Sequence, residues 1–142
     1  MTGTWDAQQL IADGFAHVRA ELAWWDGPWR GLVELGGVPH YFERPDLDAD
    51  RYLVWPVPAD VLALECEQWA IFADWYRRAD AGGLEPHPGQ GGVDARYDEL
   101  NALLAPYRDA PADARQLAAE WRSDGGARYR ADGADYWVRW QA

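Results

Sequence analysis

The chain has 142 residues, the usual length of one domain, which is enough to bury a core without disulfides or metals. Its 24 acidic residues against 13 basic ones, all of them arginine, give a net charge of −11. Phosphate backbones and anionic lipid surfaces would be repelled, so we expect neither nucleic-acid nor membrane binding. A basic protein is the partner that this charge would attract, although the same acidity also serves simple solubility.

The compartment is predicted from cysteine content and from the first residues. The single cysteine, Cys66, excludes an internal disulfide and is typical of a reducing environment. No basic region followed by an apolar run is visible near the N-terminus. No stretch approaches the roughly 18 apolar residues of a membrane span. We therefore expect a cytoplasmic protein.

Antiparallel strands are predicted for the first part of the chain, after a short helix over 5–12 with Thr4 as its N-cap. Alternating hydrophobicity and turn signals place these strands at 15–25, 29–35, 38–44 and 51–57. The first strand has a helical alternative, because Phe15, Val18 and Leu22 also share one helical face. Gly36-Gly37 is typical of a tight hairpin turn. These strands would form an antiparallel β-meander.

The second part of the chain is predicted to be mainly helical, apart from its end. The elements are a long amphipathic helix over 59–81, a flexible loop over 82–92, helices over 93–105 and 111–122, and a hairpin of 127–131 with 134–140. Asp132-Gly133 would form the hairpin turn. Strands and helices are segregated, which favours the α+β class. We expect one domain, 1–142, in which the meander packs against the long helix, with two shorter helices and a C-terminal hairpin.

Tryptophan is the compositional outlier, with ten residues beside seven tyrosines and three phenylalanines. A domain of this size can bury several large aromatic side chains, but burying all ten indoles is difficult. The surplus indicates an exposed binding surface, and an aromatic-rich core is the alternative. Trp25, Asp26 and Trp29 are the first candidates, because aromatic walls beside a carboxylate bind a sugar face or a cation. The alternative role of Asp26 is to form the turn between two strands.

The acidic loop 46–50 resembles the start of a calcium-binding loop. The glycine required at its sixth position is Arg51, and the glutamate required at its twelfth is Val57, so we reject a calcium site. Together with Glu43, the loop is the densest negative patch in the sequence, where a cationic partner would dock. Its candidate residues are Asp46, Asp48 and Asp50.

No catalytic, metal-binding or cofactor-binding motif is apparent. The three histidines lack metal-ligand spacing, and the only serine, Ser123, lacks a nucleophile context. Glu65 and Glu67 flank Cys66 and would raise its pKa, which argues against a nucleophile. His40 is kept as a candidate to line a pocket, with a structural role as the alternative. We predict no metal and no cofactor.

The segment Trp25-Asp26-Gly27-Pro28, followed by Gly31, by Gly37-Val38-Pro39-His40-Tyr41-Phe42 and by a tryptophan-containing helix, resembles a recurring type of small uncharacterised bacterial protein. The resemblance covers roughly the first 80 residues. It implies one intact domain, and it transfers no catalytic residue.

Three functions remain open. The first is a non-enzymatic, acidic protein-binding domain, such as an immunity or antagonist protein that neutralises a basic partner. The second is a small-molecule or carbohydrate-binding protein, with or without catalysis. Its aromatic-lined pocket would lie between the sheet and the long helix, with Trp25, Asp26, Trp29 and His40 as lining. The third is a self-associating protein that uses 136–140 as an open sheet edge.

Overall fold

The computed structural model describes residues 4–142, and its main feature is a closed barrel. The strands are β1 (Ala16–Trp24), β2 (Pro28–Leu35), β3 (Val38–Glu43), β4 (Tyr52–Pro56), β5 (Arg115–Ser123), β6 (Tyr129–Arg130), β7 (Gly133–Ala134) and β8 (Tyr136–Gln141). Six of them close into an antiparallel barrel in the order β1-β2-β3-β4-β5-β8, and β6 pairs with β7 in a small separate ladder.

Three α-helices accompany the barrel: α1 (Ala7–Ala12), α2 (Ala59–Asp80) and α3 (Ala95–Arg108). Asp6 caps α1, since its side-chain oxygen accepts from the Gln8 backbone N–H at 2.9 Å. Thr4, the predicted cap, instead bridges to Ser123. The predicted loop 82–92 contains a short 3₁₀ helix, Pro88–Gln90. Within residues 4–142, no helix combines the length and the apolar character needed to cross a membrane.

The strand predictions for the first part of the chain are confirmed to within one or two residues for β2, β3 and β4, and β1 is a strand rather than a helix. Gly36 and Gly37 form the two-residue turn between the paired Leu35 and Val38, and both glycines have positive φ. The α+β class with antiparallel strands is also confirmed. The open meander is replaced by the closed barrel.

The helix predicted over 111–122 is wrong, because most of this segment is strand β5. Leu117 and Trp121 lie four residues apart, a spacing that fits one helical face and one strand face equally well. In the barrel, β5 pairs with β4 through Leu117 and with β8 through Trp121. Both side chains join the core, whereas Glu120 forms ion pairs with Arg122 and Arg139. Pairing with two distant strands therefore decides the structure of this segment.

Three smaller predictions near the C-terminus are also wrong. Helix α3 continues to Arg108 and contains Pro106, whereas the predicted helix ended at residue 105. The hairpin turn lies at Ala131-Asp132, since Arg130 pairs with Gly133. Gly133 is needed for another reason: a Cβ there would lie 2.6 Å from the Val18 backbone oxygen. Strand β8 pairs with β1 and with β5, so the open edge expected over 136–140 does not exist.

Aromatic side chains fill the barrel interior. Phe42 of β3 lies 5.8 Å from the Trp140 ring of β8, and Tyr52 of β4 lies 5.7 Å from the same ring. These strands are not neighbours in the barrel, so their rings meet across its interior. Trp121 contacts all three rings. Part of the aromatic surplus is therefore core, as the alternative interpretation expected.

Helices α2 and α3 cover part of the outer barrel surface. Tyr41 pairs directly with Leu32 and Trp55, so these three side chains share the face opposite to that of Phe42. All three are buried. The Trp55 indole donates to the Tyr107 carbonyl of α3 at 3.0 Å, and the Tyr41 hydroxyl donates to Glu65 of α2. This helical layer forms one side of the pocket described below.

Candidate functional site

Two concave features of the described chain are candidate binding sites. The first is a shallow groove beside the β1–β2 turn, which we call the tryptophan groove. It is lined by Ala23, Trp25, Trp29, Asp46, Leu47 and Asp48. Trp25 is 66% exposed and Leu47 is 62% exposed, which is high for large apolar side chains. The groove thus places two exposed apolar side chains beside two carboxylates.

Hydrogen bonds hold the 44–51 loop in the form that presents these groups. The Arg44 guanidinium donates to the carbonyls of Leu47, at 2.8 Å, and Ala49, at 3.2 Å. The same guanidinium lies 5.6 Å from the Trp29 ring centre. The Asp48 backbone N–H donates to the Asp46 carboxylate at 3.0 Å. The loop is therefore organised in the unbound chain, which lowers the entropic cost of binding.

The sequence-predicted site residues separate into two groups. Trp25, Trp29, Asp46 and Asp48 come together in the tryptophan groove, and the other four do not line it. Asp26 has a φ of 54° in the β1–β2 turn, which fits its alternative role as a turn residue.

The remaining three residues have local roles or lie apart. The His40 Nδ1 donates to the Val38 carbonyl at 2.8 Å on β3, as expected of a structural histidine. Glu43 forms an ion pair with Arg30 across the β2–β3 pair at 3.0 Å. Asp50 is exposed in the same loop as Asp46.

The second feature is a cavity of about 320 Å³ between β1 and α2, which we call the inner pocket. It lies between the sheet and the long helix, where the sequence predicted a pocket, but none of the predicted lining residues contributes to it. Half of its lining consists of ring side chains: Trp24, Trp69, Phe72, His87, Tyr97 and Tyr129. Glu21, Glu65 and Gln68 supply its non-aromatic polar side chains. Aromatic walls with few polar groups are typical of ligand pockets.

Glu65 is the most buried charged residue at the inner pocket, with 1% of its surface exposed. The Arg108 guanidinium binds both of its oxygens, at 2.7 and 2.8 Å, and the Tyr41 hydroxyl donates to it as well. Burial, followed by the neighbouring Glu65 charge, raises the Tyr41 pKa well above its ordinary value. Arg108 and Asn101 also hydrogen-bond to Gln68. This network holds Glu65 and Gln68 in place and gives the Glu65 carboxylate three donors.

Glu21 belongs to a second network, in which it binds the guanidinium of Arg128. The Arg128 side chain donates to the Glu21 carboxylate at 2.7 Å, and the Tyr136 hydroxyl donates to the same oxygen at 2.9 Å. The Arg128 guanidinium carbon lies 4.3 Å from the Trp24 ring centre, 4.9 Å from that of Tyr129 and 5.4 Å from that of Tyr136. Three rings and a carboxylate thus surround one cation.

Hydrogen-bond donors also line the inner pocket. The Gly89 backbone N–H donates to His87 Nδ1 at 2.8 Å, so in the neutral ring the proton belongs on Nε2. Burial raises the pKa of Tyr97 and of Tyr129, so both hydroxyls stay protonated at neutral pH. His87, Tyr97 and Tyr129 therefore add hydrogen-bonding side chains to the lining.

Potential metal ligands and the one thiol are further groups whose geometry and surroundings bear on chemistry. Among residues 4–142, no group of three or more histidine, cysteine, aspartate or glutamate side chains is arranged to hold a metal ion. Cys66 is half-buried on α2, and burial is the main cause that raises its thiol pKa, with Glu65 adding to the shift. The predicted direction of that shift is confirmed, and its main cause was not foreseen.

The lining residues of the inner pocket were not predicted, because they come from separate segments of the chain. Glu21 and Trp24 lie on β1, Trp69 and Phe72 on α2, and Tyr129 on β6. One sequence signal pointed to this region. Glu65 and Gln68 interrupt the apolar stripe of α2, and polar side chains on the buried face of a helix are more informative about a site than apolar ones. Comparison with protein-family models, with curated protein sequences and with solved structures found no match to this chain.

Proposed function

We propose that this protein is a non-enzymatic binding domain that docks a basic protein through the tryptophan groove. The observation that carries the proposal is the pair Trp25 and Leu47, both more than 60% exposed and both beside Asp46 and Asp48. Exposed large apolar side chains with neighbouring charges are what protein interfaces use as anchors and for steering.

The charge of the chain supports a basic partner. With a net charge of −11, the protein would attract a cationic protein over long distances and speed the encounter. At close range, Asp46 and Asp48 would pair with arginine or lysine side chains, while Trp25 would be buried against the partner. An immunity or antagonist protein, which neutralises a basic toxin or enzyme by covering it, fits this combination.

A variant pair in the groove tests the proposal. The partner is captured from the native host, identified, purified and titrated against the wild type and against Trp25→Ala and Asp46→Asn/Asp48→Asn. We expect a basic partner, at least about tenfold weaker binding with Trp25→Ala, and weaker binding of all variants at higher salt. Leu84→Ala is the matched control, because Leu84 is 98% exposed and lies outside the groove.

A purified model ligand gives a second measurement. A peptide of alternating arginine and leucine should bind the wild type and lose affinity with Trp25→Ala, whereas its glutamate–leucine counterpart should not bind. An acidic natural partner, or equal affinity of the wild type and Trp25→Ala, would contradict the proposal.

A second candidate function is small-molecule binding, which the inner pocket favours. A ring-lined cavity of about 320 Å³ lies at the lower end of the range for ligand sites. Its polar groups are held in place by the Glu65 and Glu21 networks. Screening small metabolites by thermal shift tests this function, since a ligand raises the melting temperature as its excess over Kd grows. No shift with any compound would count against it.

A further inference from the structure

The inner pocket borders one edge of strand β1. Five consecutive residues of this strand, 20–24, line the cavity. Ala20 pairs with Leu32 on the face that the helices cover, and Glu21, the next residue, belongs to the opposite face. A cavity that is lined from both faces of a strand must pass along its edge, where the backbone N–H and C=O groups lie.

That edge has no partner strand beside the cavity. Within residues 4–142, β1 pairs with β8 only through Ala16 and His17, and β2 occupies the other edge of β1. A shift in the β1–β2 register also leaves Leu22 without a paired residue on β2. An open strand edge presents backbone groups that still need hydrogen-bond partners. A ligand in the cavity can supply these partners.

The charged groups of the described lining are already paired within the chain. Arg128 binds the Glu21 carboxylate at 2.7 Å, and Arg108 binds the Glu65 carboxylate at 2.7 Å. A cation would therefore find both carboxylates occupied, and an anion would approach a chain with a net charge of −11. Moving an ion out of water is unfavourable where no counter-charge replaces the water. The lining favours a neutral ligand.

Ring side chains border the cavity on its α2 side. Trp69 and Phe72 both belong to its lining, and the Trp69 indole N–H already donates to the Arg130 carbonyl at 2.6 Å. This side therefore offers mainly apolar ring surface, against which a flat ring would pack. The volume of about 320 Å³ is close to the smallest that is typical of ligand sites, so the ligand must be compact.

We infer that the inner pocket binds a small neutral aromatic amide, such as a lactam fused to a ring. Its amide would hydrogen-bond to the open edge of β1, as a neighbouring strand would, and its ring would pack against α2. This inference rests on the second candidate function, small-molecule binding. It adds the ligand class, and it assigns recognition of the polar group to the backbone of 20–24.

Compounds that differ in one group test the ligand class. Isoquinolin-1(2H)-one is compared with isocoumarin, in which an oxygen replaces the amide N–H and the shape is kept. Benzamide is compared with benzamidine and with benzoate, its cationic and anionic counterparts. Binding to the purified full chain is measured by calorimetry and by thermal shift. We expect the lactam to bind at least about tenfold more tightly than isocoumarin, and benzamide at least about tenfold more tightly than either ion.

Backbone amide resonances locate the bound compound. The lactam should shift the amide signals of 20–24 and slow the hydrogen exchange of those amides that it covers. The amide signals of 46–48, in the tryptophan groove, provide the control and should not change. Changes at 46–48 without changes at 20–24 would overturn the assignment to the edge of β1.

Neighbouring residues of α2 provide a variant and its control. Phe72→Leu should weaken binding of the lactam by about three- to tenfold, because a ring of the lining is lost. Ile71→Val should bind the lactam like the wild type, because Ile71 does not line the inner pocket. The melting temperature of each variant without compound checks that it is folded. Equal weakening in both variants would overturn the packing of the ring against α2.

The remaining outcomes separate the ligand class from the function. If isocoumarin or the ions bind as tightly as the amides and shift the signals of 20–24, small-molecule binding stands and the amide class is wrong. If no compound binds, the inference fails together with the small-molecule function, and the proposal for the tryptophan groove is unaffected.

Discussion

The Arg108→Met substitution would remove the guanidinium that binds the buried Glu65 carboxylate. Glu65 is 1% exposed, so the remaining charge would be poorly hydrated and would have no charged partner. The Tyr41 hydroxyl would remain as a donor, but it carries no charge. Methionine fills much of the volume of the arginine stem, which limits the loss of packing.

The expected cost follows from leaving a buried charge unpaired, which typically destabilises a protein by about 3–5 kcal/mol. The control is Arg96→Met, because Arg96 also joins α3 to α2, through Glu67, but both side chains of this pair are 42% exposed. An exposed pair of this kind contributes about 0–1 kcal/mol. The structure therefore predicts a large difference between two arginines in the same helix.

Urea unfolding, followed by tryptophan fluorescence, measures both variants. With a slope of about 2 kcal/mol per M, a loss of about 4 kcal/mol lowers the midpoint by about 2 M. Adding Glu65→Gln to Arg108→Met should recover at least about 1 kcal/mol, because the amide is neutral and still accepts from Tyr41. Equal losses for the Arg108 and Arg96 variants, or further destabilisation in the double variant, would refute the reasoning.

Two further predictions concern the barrel and the C-terminal segment. Gly31→Ala should lower the free energy of unfolding by about 1–3 kcal/mol in the same urea assay, because the new Cβ would lie 2.6 Å from the Phe42 ring and 2.7 Å from the Ala20 backbone oxygen. An unchanged urea midpoint would argue against close packing at Gly31. Burial acts to raise the Asp124 pKa, but hydrogen bonds from Arg130, from the Trp137 indole and from a backbone N–H lower it from 3.8 to about 2. The stabilisation that Asp124 provides is therefore nearly complete above about pH 4 and is lost as the pH falls towards 2. Other carboxylates with a lowered pKa, such as Glu120, are protonated in both proteins, so the wild type should lose about 1–2 kcal/mol more than Asp124→Asn over this range. Parallel pH profiles would contradict this.

The sequence predicted those elements whose structure is decided locally. The alternation in β1 and the glycine turn after β2 are local signals, as is the amphipathic pattern of α2, and all three elements are present. Strand β5 was not predictable in this way, because its spacing fits two structures and its partners lie far away along the chain. Closure of the barrel depends on that strand, so an open meander was predicted instead.

The two candidate sites also differ in how far the sequence predicts their residues. Trp25 and Trp29 are close in sequence and were predicted together, whereas their proximity to Asp46 and Asp48 was not predicted. The lining of the inner pocket could not be predicted, because Trp24 and Tyr129 meet only once the barrel and the helical layer are in place. His40 was a candidate to line a pocket, but its Nδ1 donates to the Val38 carbonyl of its own strand.

The junction between β1 and β8 has a consequence for the order of folding. It consists of two residue pairs, Ala16 with Val138 and His17 with Trp137, which lie more than a hundred positions apart in the chain. A short ladder between such distant residues gains few hydrogen bonds against a large loss of chain entropy. The hairpin of β2 and β3, whose partners are adjacent, does not incur this loss. We therefore expect local hairpins to assemble first and the ring of strands to be completed late, at its shortest ladder.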